Sequence, residues 1–248
     1  MTAGLDPRPT AVLAELELDP CRWDFPAPDA ADGHGLVVVG GDLEPETLVS
    51  AYCQGLFPMP FGRRRRIGWW SPDPRATIPV DELVVSRSLR RSCKRYEVRV
   101  DTAFRDTMTR CGDPRRPNGW INAEFVDAYC RLHDLGIAHS IECWDDRGDL
   151  VGGLYGVAVR GLFAGESMFH SAPDASKVAL VHLCGLLGAT APGSGPSPLL
   201  DVQWMTPHLA SLGTVELPRP VYLERLRAAL AQPFHRFEHG SASDDRGR

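Results

Sequence analysis

An α+β fold, with a small N-terminal unit followed by a larger mixed α/β unit, is what this 248-residue sequence predicts. Three observations carry the expectation. His139–Trp144, Leu150–Val159 and Leu162–Phe169 are strand-length apolar runs, separated by the turn signals Asp145–Asp149 and Arg160-Gly161. A helical stretch, Lys177–Leu187, and a further strand, Leu199–Met205, come next, so hairpins precede a helix-connected strand. The first 75 residues, by contrast, are broken by Pro and Gly and hold one firm strand and one helix. The expected divisions are an arm and small α/β domain over 1–75, a larger domain over 76–235, and a disordered tail over 236–248.

Composition narrows the class. A hydrophobic fraction of 43% and a charged fraction of 24% are ordinary for a soluble globular protein. No apolar run approaches the roughly 20 residues of a membrane span, and MTAGLDPRPT lacks the basic start and apolar core of a signal peptide. The seven cysteines are scattered and odd in number, with no C-x-x-C pair, which reads as buried thiols of a cytoplasmic protein. A net charge of −5 argues against a protein coated in nucleic acid but leaves room for a local basic patch.

Taken in order, residues 1–20 read as a loose arm with a short helix at Thr10–Leu16. Leu36–Val39 is a strand stopped by Gly40-Gly41-Asp42. Asp42 or Glu44 then caps a helix with Pro45 in its first turn, and Gly55 closes it. GLFPMPFGRRRRIGWWSPDPR, with several prolines and the run Arg63–Arg66, reads as structured loop. The arginines beside Trp69 and Trp70 suggest a surface where phosphates pair and bases stack. Ser86 is a helix N-cap, after which Arg87, Arg90, Arg91, Lys94 and Arg95 fall at i, i+3, i+4, i+7 and i+8, five cations on one helical face. Like charges at these spacings repel by about 0.2–0.5 kcal/mol per pair, so the stripe reads as a polyanion contact. Asp101 reads as the cap of a helix burying Phe104, Met108 and Cys111. Asn122 caps the next, with Phe125, Tyr129 and Leu132 inward and Gly136 as its stop. Pro220 opens a final helix burying Leu223, Leu226 and Leu230, and the chain after Pro233 reads as frayed.

Two anomalies point to chemistry. Glu166 interrupts an apolar strand in Gly165-Glu166-Ser167, where a carboxylate is costly unless paired or facing a cleft; the residues alone leave a buried partner or a working residue open and favour the first. In LLDVQWM, Asp201 and Gln203 are two apart and expected on one face, with Leu200, Val202 and Trp204 on the other. Here a structural pair and an orienting pair are both open. By spacing alone Trp120 and Tyr129 read as core. His133, His139 and His208 have no metal-type spacing. No G-x-S-x-G surrounds a serine, so an enzyme built this way would position two substrates rather than form a covalent intermediate.

The ordered motifs GGDL (Gly40–Leu43), WWSPDPR (Trp69–Arg75), VSRSL (Val85–Leu89), HSIE-x-W (His139–Trp144), LVGGLYGVA (Leu150–Ala158), GESMF (Gly165–Phe169), ASK (Ala175–Lys177), D-x-Q (Asp201–Gln203) and PHLASLG (Pro207–Gly213) resemble those of the leucyl/phenylalanyl-tRNA–protein transferases, from about Phe25 to Leu226. The resemblance implies a C-terminal domain of acetyltransferase-like (GNAT-like) topology. It also implies transfer of Leu or Phe, and less well Met, from charged tRNA to the N-terminal Arg or Lys of a protein, marking it for degradation, with no metal or small cofactor. It places Asp201 and Gln203 at the reaction centre and Trp120, Tyr129 and Glu166 near the terminal adenosine or reacting groups. Leu154, Phe163, Leu183, Leu187 and Leu200 would line the side-chain pocket, and Arg87, Arg90, Arg91, Lys94 and Arg95 would contact the tRNA backbone.

Departures from the pattern are local. Met59 stands where the family usually has an aromatic near the terminal adenine, the following loop FGRRRRIG is basic, Leu183 and Leu187 stand where larger aromatics can occur, and the Thr190–Pro198 loop is longer than usual. An acyl-CoA-dependent acyltransferase would need a Gly-rich pyrophosphate loop that the sequence lacks. A non-enzymatic RNA-binding module leaves the polar residues inside apolar strands unexplained.

Overall fold

The computed structural model describes residues 8–115, 119–189, 197–234, 237 and 240–241. Two sheets organise them. The smaller has the order β1 (Leu36–Val39), β3 (Arg66–Trp70), β2 (Phe57–Phe61), all antiparallel. Helices α1 (Arg8–Glu15) and α2 (Pro45–Cys53) pack beside it. Glu44, in extended conformation, occupies the N-cap of α2 with Pro45 at its first position, and Gly55 follows its end with a positive φ.

The stretch that reads as loop is a hairpin. β2 pairs from Phe57 opposite Trp70 to Phe61 opposite Arg66, and the arginine run makes the turn. Pro58 and Pro60 are tolerated because β2 is an edge strand. The expected stacking role of Trp69 also fails: its indole is buried, donates to the Gly40 carbonyl at 2.8 Å and meets Phe25 edge-on. Trp70 is half-buried against Phe61 and Trp204.

The larger sheet has the order β10 (Val215–Leu217), β4 (Arg75–Ile78), β9 (Leu199–Gln203), β8 (Leu162–His170), β7 (Leu150–Val159), β6 (Ala138–Trp144), β5 (Glu97–Val100), β11 (Gly240–Ser241). Every neighbouring pair is antiparallel except β8–β9. Helix α6 (Ala175–Ala189) makes the crossover between those two and packs on β6 and β7, with α3 (Arg87–Ser92) beside it. α4 (Phe104–Cys111) and α5 (Ala123–Asp134) join Tyr155, Val157 and Val159 of β7 in a second cluster, which also takes in the small sheet and α8 (Arg219–Leu230), a helix that follows the short α7 (Pro207–Ala210) and β10. Leu154 and Ala158 belong instead to the cluster under α6. β7 is therefore buried along all ten residues, as expected of a strand covered on both faces. Close approach explains its glycines: a Cβ on Gly152 would lie 2.5 Å from that of Ala175, and one on Gly156 would lie 2.4 Å from the Ala164 carbonyl.

Local corrections have physical reasons. The basic helix ends at Ser92, so Arg87, Arg90 and Arg91 share its face while Lys94 and Arg95 follow in a turn; all five are exposed. Asp101 does not cap α4. It adopts φ 59 and its carboxylate accepts from the Ser140 N–H and pairs with His139 Nδ1 at 2.7 Å. The groups ahead of α4 are taken by buried Glu142, which accepts from the Thr102 and Ala103 N–H groups and the Thr102 and Ser140 hydroxyls. Burial pushes the Glu142 carboxyl up, and those donors pull against it. The tail expected to be disordered is tied down where it is described: Phe237 stacks on His139 with centroids 4.1 Å apart, and β11 covers the edge of β5. The remainder of 236–248, like residues 190–196 of the long loop, lies outside the described residues. The seven cysteines carry no disulfide.

Candidate active site

The parallel strands β8 and β9 pair only from Leu162 opposite Leu199 to Ala164 opposite Asp201. Beyond that point both carry an extra residue against their antiparallel partners. Tyr155 faces Ser167 while Gly156 faces Gly165, which leaves Glu166 unpaired; Thr77 faces Asp201 while Ala76 faces Gln203, which leaves Val202 unpaired. Such bulges bend a strand and re-aim its side chains. Two of them beside the last parallel pair flank a cavity of about 700 Å³, walled by Gly165, Glu166, Ser167 and Met168 on one side and by Val202, Gln203 and Trp204 on the other.

The cavity has distinct ends. Its floor is apolar, from Leu154, Met168, Leu180, Leu183, Leu200 and Leu209. Phe57, Met59, Trp120 and Trp204 form an aromatic-rich side, and His170, Ser176, Thr206 and His208 a polar corner. Burial, with Lys177 and His170 nearby, lowers the His208 imidazole. Among the described residues no cluster of three or more His, Cys, Asp or Glu has metal-ligating geometry, and no helix is long and apolar enough to cross a membrane.

Glu166 sits at the polar edge. Its Oε1 accepts from the Tyr52 hydroxyl at 2.6 Å and its Oε2 from the Tyr129 hydroxyl at 3.3 Å, and the two hydroxyls lie 2.5 Å apart. Burial pushes the carboxyl up to about 7, with Asp201 adding to the rise and the tyrosine hydroxyls and Arg75 opposing it. Burial and the same carboxyl hold both tyrosines well above their ordinary range, so they remain donors. Gln203 adopts φ 59 and turns its amide to the cavity, with Nε2 buried and without a hydrogen-bond partner among the described residues.

Asp201 does not share that face. The bulge breaks the two-residue alternation, and the carboxylate points into the protein, 1% exposed. Oδ1 accepts from Arg75 Nε at 2.9 Å and from the Gln203 N–H at 3.0 Å; Oδ2 accepts from Arg75 Nη2 at 2.7 Å and from the Tyr222 hydroxyl at 3.0 Å. Arg75 also donates to the Gly55 carbonyl at 3.1 Å, and its guanidinium lies between the rings of Phe57 and Tyr222, 4.7 and 4.5 Å from their centroids. Burial works hardest against the Arg75 charge, but Asp201 beside it, Tyr222 and Glu166 together outweigh burial and raise its pKa.

Of the sequence-derived candidates, Glu166, Gln203, Trp120, Leu154, Leu183 and Leu200 come together on the cavity wall. Tyr129 stands behind Glu166, and Phe163 and Leu187 are fully buried in the apolar cluster behind the floor rather than on it. Sequence reasoning misses Tyr52, Arg75, Tyr222 and Trp204. Arg75 lies in the quoted WWSPDPR motif, and a carboxylate inside a strand is the signal that calls for a buried cation.

A sequence profile described as "Leucyl/phenylalanyl-tRNA protein transferase" matches residues 77–227, and one for that protein's N-terminal domain matches residues 41–73. Curated proteins named leucyl/phenylalanyl-tRNA–protein transferase are similar along most of their length. That of Anaeromyxobacter dehalogenans strain 2CP-C is 49% identical over 215 residues, covering 84% of this chain and 89% of its own. That of Tolumonas auensis is 45% identical over 224 residues, covering 88% and 92%.

Removing Arg75 would leave the Asp201 carboxylate buried and unpaired, which costs about 3–5 kcal/mol. Arg75→Ala is expected to lower the unfolding free energy by that order in a urea titration, and an unchanged midpoint would show that the pair is not holding the site. Motifs, profiles and relatives agree that the chain belongs to the leucyl/phenylalanyl-tRNA–protein transferase family of aminoacyltransferases.

Proposed function

We propose that this enzyme transfers Leu or Phe, and less well Met, from charged tRNA to the N-terminal Arg or Lys of acceptor proteins, creating a signal for degradation in the cytoplasm. The observation that carries the reading is the union of an apolar floor, from Leu154 to Leu200, with a Gln203 Nε2 that has no partner among the described residues and a carboxyl pushed up to about 7 at its edge. A leucyl or phenylalanyl side chain fills such a floor, while a single-methyl difference in a pocket of this kind is worth only about 1–3 kcal/mol. The splay of β8 from β9 supports an acetyltransferase-like topology for the larger unit. The exposed cations Arg87, Arg90, Arg91, Lys94 and Arg95, without an acidic partner among the described residues, support a contact with the tRNA backbone.

In this reading the acceptor α-amine attacks the ester carbonyl held beside Gln203. The new C–N bond forms, the C–O bond to the terminal ribose breaks, and the ribose hydroxyl leaves with a proton. Gln203 is a poor base; its side-chain oxygen accepts from the amine and orients the nitrogen lone pair. Asp201 is a positioning residue, acting through the Gln203 N–H and Arg75 rather than on the substrate. The Glu166 carboxylate takes the proton the amine must lose. An α-amine has a pKa of about 7.7–8, so donor and acceptor are closely matched and the transfer is nearly isoenergetic. Tyr52 and Tyr129 fix both carboxylate oxygens for that step.

Three experiments test the proposal. With tRNA carrying labelled leucine and peptides beginning with Arg, Lys or Ala, label is expected on the first two only. Gln203→Ala should cut turnover about 10–100-fold with tRNA binding kept; equal loss of both would remove the assignment. A general base must be ionised, so transfer by the unsubstituted enzyme should fall as pH drops through about 7. In Glu166→Gln the maximum should be lower and the acid limb should move up towards the free amine, about 8. A limb that stays in place would clear Glu166 of the role.

A further inference from the structure

The tip of the β2–β3 hairpin is unlike the rest of this acidic chain. Arg63, Arg64, Arg65 and Arg66 are consecutive and exposed, on a protein of net charge −5, and none of the four pairs with a carboxylate among the described residues. The turn is tight: Gly62 and Arg65 take φ of 68 and 47, and the Arg65 N–H donates to the Gly62 carbonyl at 3.0 Å. Four cations therefore follow one another through one tight turn with no described carboxylate to neutralise them, a concentration of charge that favours an anionic ligand.

The tip is also tied to the cavity. Arg65 Nη2 donates to the Trp120 carbonyl at 2.8 Å, and Trp120 lines the cavity. Phe57 and Met59, on the strand that leads into the turn, line it as well. Arg63 lies four residues beyond Met59, just past the end of β2 and within the turn, so at most about 13 Å separates them along the chain. A polymer whose last unit occupies the cavity would thus pass its preceding linkages over the arginines.

We propose that Arg63, Arg64 and Arg66 form a phosphate clamp for the single-stranded end of the RNA that carries the aminoacyl ester, while Arg65 fixes Trp120. This rests on the reading that the cavity takes the terminal aminoacyl nucleoside. Guanidinium forks pair with phosphate oxygens whatever the base, so the clamp sets the register of the strand and reads no sequence. It is separate from the cations on and after α3, and it lies on the small sheet rather than the large one.

The test compares two donors, leucyl-tRNA and leucyl-adenosine, which has no phosphate, in transfer to an Arg-starting peptide by the full chain. In R63A/R64A/R66A the ratio of kcat/KM for leucyl-tRNA to that for leucyl-adenosine is expected to fall about ten-fold at low salt, and the fall should shrink as salt rises. The slope of log affinity for tRNA against log salt should flatten by about 0.7 for each phosphate that the arginines no longer neutralise. R63K/R64K/R66K, which keeps the charge, should recover most of the ratio. Use of leucyl-adenosine shows that the variants are folded. An equal fall with both donors, or no change with either, would overturn the clamp. If the unsubstituted enzyme transferred from neither donor while the alanine substitutions still lowered tRNA affinity in a salt-dependent way, the transferase reading would fall and the clamp would stand.

Discussion

The buried pair of Arg75 and Asp201 is the interaction on which the site depends. Taking two such charges out of water costs several kcal/mol per ion, and attraction offsets this only when the geometry is close and the remaining donors and acceptors are satisfied. Here two parallel N–H···O contacts join them, and Gly55, Tyr222 and the Gln203 N–H take the rest. Those partners come from the end of α2, from α8 and from β9, while Phe57 of the small sheet covers the guanidinium. One ion pair therefore fastens the small sheet, α8 and strands β4 and β9 of the large sheet at a single point.

What the pair fixes is a break in β-structure. Parallel strands that continued side by side would leave no room for a ligand. β8 and β9 stop pairing after Ala164 and Asp201, and each gains a bulge there. The left-handed backbone of Gln203 is costly for a residue with a Cβ, by about 1–3 kcal/mol, and persists because Asp201 holds its N–H. The same break turns Glu166 towards the cavity, where two tyrosines from α2 and α5 reach it. A carboxyl in those surroundings is pushed up to about 7, into the range where it exchanges protons with an amine.

Much of this is legible in the sequence. The apolar runs of residues 138–170, the crossover helix and the Ser86 and Asn122 caps follow from local pattern, and the family motifs point to Gln203, Glu166 and three of the floor leucines, Leu154, Leu183 and Leu200. What is not legible is long-range. Arg75 and Asp201 are separated by 126 positions and Tyr52 and Glu166 by 114, so no local pattern joins them. The β2–β3 hairpin is hidden because prolines argue against a strand until its place at a sheet edge is known. Asp101 reads as a cap because Asp before a helix commonly is one, yet Glu142 on a neighbouring strand does that work. Strict alternation puts Asp201 and Gln203 on one face, and a bulge, which sequence does not announce, separates an inward-pointing positioning group from one that faces the cavity.

The most direct test of the account is a double-mutant cycle on the transfer rate, with Asp201→Asn, Gln203→Ala and the two combined, measured on folded protein with leucyl-tRNA and an Arg-starting peptide. If Asp201 acts through the placement of Gln203, its substitution should lower the rate in the parent but change little once Gln203 is alanine, a coupling of about 0.5–3 kcal/mol. Losses that simply add would contradict the account, because Asp201 would then act on the reaction by some route other than Gln203.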